Sequence, residues 1–141
     1  MTSVGILGYG HTGQYLAARI LRGDNPFDLS FVWNRDPARL EGLPLPPERR
    51  LSGDNVRAAL EGFAQHRPMP DLLVEVCHPQ VIATHGPWLL EQADLFIASI
   101  TAFADAAVES ALRDLAAHNP AGHGVYLPSG AAWGVQDVLK M

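Results

Sequence analysis

Short apolar runs recur along the chain, and between them apolar residues return at helical spacing. Val4–Leu7 is a continuous apolar run, the pattern of a central parallel strand buried on both faces. From His11 to Arg22, Leu16 and Ile20 fall on one face with the small Gly13 and Ala17, which predicts a helix stopped by Gly23. Asp24-Asn25-Pro26 is turn chemistry, and Leu29–Trp33 reads as a second strand. Strand, helix and strand within about 30 residues make one right-handed βαβ unit. A short helical piece follows Pro37, and the prolines at 44, 46 and 47 then forbid regular structure until a brief strand near Arg50-Leu51. Ser52 or Asp54 is the expected cap of a helix through Phe63, whose face carries Val56, Ala59, Leu60 and Phe63.

The second half repeats the alternation. Asp71–Cys77 is the fourth expected strand, and Pro79 suits the first turn of the next helix. Gly86-Pro87 should kink or split that helix. Leu95–Ser99 is a fifth strand, and Asp105–His118 carries Val108, Ala111, Leu112 and Leu115 at i, i+3, i+4 and i+7. Val125–Leu127 is a sixth strand, with a last helix expected from Gly134. Strands alternating with helices describe an α/β fold, a doubly wound parallel Rossmann sheet ordered 3-2-1-4-5-6.

Composition narrows the classes. At 141 residues and 48% hydrophobic, the chain is expected to form one domain, residues 1–141, with a real core. A net charge of −5 argues against nucleic-acid or anionic-membrane partners. No apolar run approaches the roughly 18 residues of a membrane span. The glycine loop comes so early that no signal or transit peptide is expected. The single cysteine, Cys77, suits a reducing compartment, so a cytoplasmic location is expected.

The chemistry gathers where strands end. Gly8-x-Gly10-x-x-Gly13 lies between a strand and a helix, the context in which this spacing marks a dinucleotide site. Gly8 would allow the tight turn, Gly10 the approach of a diphosphate, and Gly13 close helix–strand packing. With His11 and Thr12, they would set the diphosphate on the free N–H groups of the helix start. About 20 residues beyond Gly13, where an NAD site usually has an acid for the ribose, the chain has Asn34 and then Arg35. A neutral amide does not repel a 2′-phosphate and a guanidinium can pair with one, which favours NADP or dual use with NAD. In the alternative, Arg35 is merely solvated and Asp36 takes the ribose. Cys77 and His78 are expected to line the cofactor cleft, since neighbours on a strand point to opposite faces and make a poor nucleophile–base pair. Ser99, Thr101 and Ser129 read as loop hydroxyls at the same edge rather than catalysts. Glu75, inside an apolar strand, should bond neighbouring backbone or polar groups. The histidines lack metal-ligand spacing, so no metal site is expected.

Taken together, these segments resemble the L-aspartate dehydrogenases. The matching stretches are Gly8–Gly13, Asp71–Cys77 with His78-Pro79-Gln80, Ser99–Asp105, Tyr126–Ala131 and Asp137-Val138-Leu139. Phe31–Pro37 looks like the animal branch, the aspartate dehydrogenase domain-containing proteins. The resemblance implies NAD(P)-dependent oxidative deamination of L-aspartate through iminoaspartate to oxaloacetate and ammonia. In prokaryotic members the imine can feed pyridine nucleotide biosynthesis. The alanine of the family's Pro-Ser-Gly-Ala segment contacts the cofactor, which carries over to Ala131. The family's catalytic histidine belongs to a C-terminal domain, and no histidine here matches it, so no catalytic residue is assigned within this chain. Ala131–Asp137 is one residue longer than the bacterial pattern.

The expectation is therefore the cofactor-binding domain of such an enzyme, inactive alone, with L-aspartate as the small-molecule substrate handled by the C-terminal domain. Any homo-oligomer of the full-length protein would form through that domain. Two other readings remain: another two-domain amino-acid or sugar dehydrogenase, and a non-catalytic nucleotide-sensing module.

Overall fold

The computed structural model describes residues 1–128. The expected final helix from Gly134, together with Ser129 and Ala131, lies outside the described residues. Six strands form one sheet: β1 (Thr2–Leu7), β2 (Phe27–Asn34), β3 (Arg50–Ser52), β4 (Leu72–Glu75), β5 (Asp94–Ile97) and β6 (Val125–Tyr126). Their order is β3-β2-β1-β4-β5-β6 and every pairing is parallel, as the alternation predicts. Four α-helices connect them: α1 (His11–Leu21), α2 (Val56–Ala64), α3 (Pro79–Gln92) and α4 (Ala106–His118). Between β2 and β3 the short helical piece after Pro37 is a 3-10 turn, Pro37–Leu40, and a second 3-10 turn, Pro47–Arg49, forms where the prolines were expected to forbid regular structure, because Pro47 at the start of a turn has no lost N–H bond to make up.

Two cores flank the sheet. On one face Leu7, Phe31, Leu73, Leu95 and Ile97 pack against α2, α3 and α4 through Leu60, Leu89 and Leu112. On the other, Val4, Ile6, Leu29 and Val32 meet Ala17 of α1, with Leu40, Leu43 and Leu45 from the loop after β2. The prolines that break regular structure there still direct three leucines into the core.

Three details differ from the reading of the sequence. The cap of α2 is Asn55, whose Oδ1 accepts the Ala58 N–H at 3.1 Å, not Ser52 or Asp54. The helix α3 is not split at Gly86-Pro87 but runs through to Gln92. Packing outweighs the lost backbone bond there. Gly86 lies against the Leu112 methyl groups of α4, and Leu89 and Leu90 beyond it are fully buried. Ala111, expected on the inner face of α4, is exposed, and Leu112 alone of that helix is buried.

Candidate functional site

The sheet's direction of winding reverses between β1 and β4, so the loops leaving these two strands diverge and open a crevice at their carboxyl ends. The Val76 N–H donates to the Leu7 carbonyl at 2.9 Å, holding the strands together up to the point of separation. Directly beyond lies the glycine loop, and its three glycines have three different surroundings.

Gly8 has φ +112°, a conformation that side chains strain to adopt, and a Cβ there would stand 2.7 Å from the Cys77 Cβ. At Gly13, a Cβ would stand 2.1 Å from the Gly8 carbonyl oxygen, so α1 can sit this close to β1 only with glycine. Gly10 is the opposite case. Its φ of −78° suits any residue, and nothing lies within 4 Å of a Cβ built on it. Neither packing nor backbone angle demands glycine at this position, and the space beside it is open. Gly10 is also the N-cap of α1, and no side chain caps the helix. Its first-turn N–H groups and positive dipole end are left facing the crevice edge. His11 and Thr12 follow, both exposed.

Asn34 ends β2 and clamps the loop. Its Oδ1 accepts the Tyr9 N–H at 3.0 Å, and its Nδ2 donates to the Asp36 carbonyl at 3.0 Å. The amide thus fixes both the glycine loop and the turn after β2, a positioning role that the sequence alone does not reveal. Arg35 is exposed and makes no ion pair among the described residues. The Asp36 carboxylate accepts the Ala38 N–H at 3.0 Å, capping the first 3-10 turn.

Behind the crevice, Glu75 is fully buried at the end of β4. Its Oε1 accepts from the Cys77 N–H at 2.8 Å and from the Ser99 hydroxyl at 2.7 Å, and its Oε2 accepts the Ser99 N–H at 3.1 Å. The carboxylate ties the ends of β4 and β5 together, as expected of a polar residue inside an apolar strand. Ser99 is consumed by this bond, while Thr101 is exposed on the next 3-10 turn, Ile100–Ala104. Burial, with the Glu75 charge adding to it, pushes the Cys77 thiol up to about 12. Such a thiol is a poor nucleophile near neutral pH. His78 is the N-cap of α3, with Nδ1 accepting the Gln80 N–H at 3.0 Å. A residue with extended backbone before a proline at the first helical position is the signal that could have identified this cap.

The structure therefore brings Gly8, Gly10, Gly13, Asn34, Cys77, His78 and Ser99 to one sheet edge, with His11, Thr12, Arg35 and Thr101 on its exposed rim. Among the described residues, no group of three or more His, Cys, Asp or Glu could hold a metal ion, and no helix is long and apolar enough to cross a membrane.

The family model described as "Homoserine dehydrogenase, NAD binding domain" matches residues 8–128. An aspartate dehydrogenase domain-containing protein of Xenopus tropicalis is 36% identical over 98% of this chain and 45% of its own length. L-aspartate dehydrogenase 1 of Bordetella pertussis is 32% identical over 96% of this chain and 47% of its own. Among solved structures, aspartate dehydrogenase from Thermotoga maritima superposes with a TM-score of 0.58 at 19% identity, covering 92% of this chain and 46% of that one. The chain thus spans about half the length of the curated relatives it matches.

Proposed function

Since the chain belongs to the homoserine dehydrogenase NAD-binding domain family, we propose that it is the cofactor-binding domain of an NAD(P)-dependent L-aspartate dehydrogenase. The observation that carries the reading is Gly10, a glycine whose surroundings are open at the uncapped start of α1. A backbone that needs no glycine for its own packing keeps room there for something that is not protein. The relatives named above supply the link to aspartate.

In this reading Gly8, Gly10 and Gly13 shape the loop, and the N–H groups at His11 and Thr12 bind the diphosphate. Asn34 holds the loop in register, and Arg35 meets a 2′-phosphate or lies beside the ribose. Cys77, His78, Ser99 and Thr101 form the wall toward the nicotinamide, and Ala131 contributes from beyond β6. A bound nicotinamide would supply the acceptor for the hydride leaving Cα of the amino acid. The groups that hold the substrate and move its proton come from a second domain, in the half of the relatives that has no counterpart here.

Mixed with L-aspartate and oxidised cofactor, the chain by itself should bind the cofactor and form no reduced nicotinamide. Aspartate-dependent reduction by these residues alone would contradict this division of labour. The Arg35→Glu variant should lose NADP affinity by about ten-fold more than NAD affinity. Equal losses would remove the 2′-phosphate from the reading.

A further inference from the structure

The two helices that start at the crevice begin in opposite ways. At α1 the Gln14 N–H gives to the Gly10 carbonyl at 2.9 Å, which leaves those of His11, Thr12 and Gly13 without a helical acceptor. At α3 the corresponding groups are spent. Pro79 has no N–H, Gln80 gives its own to the His78 ring at 3.0 Å, and Val81 gives its own to the His78 carbonyl at 3.0 Å. The Gln80 side chain turns along the helix and donates to the Thr84 hydroxyl at 3.0 Å. The strand ends beside it are spent as well, since the Cys77 N–H and both Ser99 donors go to Glu75. No backbone N–H from the first three positions of α3 is left for a ligand.

What this end presents instead is the imidazole of His78. A backbone N–H donates to Nδ1, so that nitrogen carries no hydrogen and the ring hydrogen sits on Nε2. The two nitrogens point to opposite sides of the ring. With Nδ1 aimed back at the first turn of α3, Nε2–H is aimed away from the helix. Among the described residues Nε2 has no partner, and His78 is exposed. The extended backbone at His78, φ −155° and ψ 141°, is the conformation that an N-cap before proline adopts. One bond therefore caps the helix and selects the tautomer.

The strand order places β4 on the far side of β1 from β2. A dinucleotide with its diphosphate at Gly10 and its adenosine beside the β2 turn would carry its other half over β4, where His78 stands. We propose that His78 donates a hydrogen bond from Nε2 to an oxygen of the nicotinamide ribose, and that the bond from Gln80 sets the tautomer that makes it a donor. The inference rests on the dinucleotide reading above. It gives His78 a binding role and no part in moving the substrate's proton.

Two measurements test it. Long-range proton–nitrogen correlation spectra of the chain with nitrogen-labelled histidine report the tautomer directly. At neutral pH His78 should be in the Nε2–H form, and its Nε2 resonance should shift as NAD is added. A ring protonated at Nδ1 instead, or an Nε2 resonance unmoved at saturation, would overturn the proposal. The second measurement is calorimetry on His78→Ser, whose hydroxyl can still cap α3 but which has no donor in the place of Nε2. Affinity for NAD and for ADP-ribose should each fall about five-fold, while ADP, which lacks the second ribose, binds as it does to wild type. If the chain takes only NADP, the 2′-phosphorylated forms of the three serve. Unchanged NAD affinity would overturn the proposal. An equal loss for ADP would do so too, as the mark of a distorted glycine loop. A loss for NAD without one for ADP-ribose would put the bond on the carboxamide and overturn it as well. A wild-type chain that binds none of the three would remove the dinucleotide reading itself, and this inference with it.

Discussion

At the scale of single residues, the glycine loop separates packing from binding. Gly13→Ala puts a Cβ against the Gly8 carbonyl and cannot be relieved by side-chain movement, because the obstacle is backbone. It should cost at least about 2 kcal/mol of stability. Gly10→Ala meets nothing in the protein and should stay within about 0.5 kcal/mol of wild type. It should nonetheless weaken dinucleotide binding by about ten-fold or more, since the methyl group points into the open space where the diphosphate is proposed to sit. Chemical denaturation and a binding titration on the same two variants check this split, and parallel losses in both would refute it. The glycine spacing was legible in the sequence because the positive φ of Gly8 and the approach of Gly13 to the Gly8 carbonyl both arise within the loop itself. The roles of Asn34 and His78 were not. Asn34 acts through a bond to Tyr9, 25 positions away. His78 caps α3 through its ring nitrogen; its place before Pro79 marks the cap position, but not that a ring nitrogen accepts the Gln80 N–H.

At the scale of elements, the sheet is tied at both ends by buried or shared carboxylates. Glu75→Ala would strand the Cys77 and Ser99 donors and should cost about 3 kcal/mol. Glu75→Gln keeps one acceptor and should cost less, about 1–2 kcal/mol. Urea unfolding midpoints rank the pair, and an alanine variant as stable as wild type would show that the tie holds nothing. At the opposite end, Asp71 accepts the Ser3 N–H and hydroxyl, each at 2.8 Å, joining the starts of β1 and β4. Those bonds hold its carboxyl below the ordinary 3.8. A depressed pKa means that the fold favours the carboxylate, so the contribution is present above 3.8 and fades as the pH falls through the lower folded value. Asp71→Asn should melt below wild type at neutral pH, and the two curves should converge in acid. A gap independent of pH would exclude the carboxylate as its source. Of the elements in the described residues, every strand and α-helix was anticipated, while the 3-10 turns Pro47–Arg49 and Ile100–Ala104 were not. Only α3 resisted a local rule, because Gly86 and Leu89 are held by α4 and the sheet, which a proline rule cannot weigh.

At the scale of the whole molecule, the strand order followed from the alternation of elements and the handedness of crossovers. What the sequence could not display is that the two sheet faces are unequally covered. Leu72–Val74 and Leu95–Ile97 read as buried on both sides, yet Val74 and Phe96 are only half-buried among the described residues. The winding reversal between β1 and β4 sets the glycine loop, the β2 turn and the Glu75–Ser99 tie along one edge. That arrangement turns scattered motifs into a single crevice. The central claim is that this crevice holds a nicotinamide dinucleotide. It is tested most directly by calorimetric titration of the chain with NAD and with NADP. The chain should bind at least one of them saturably and one-to-one, and Gly10→Ala should lose that binding while the fold persists. No heat of binding with either cofactor, from a chain that melts cooperatively, would contradict it.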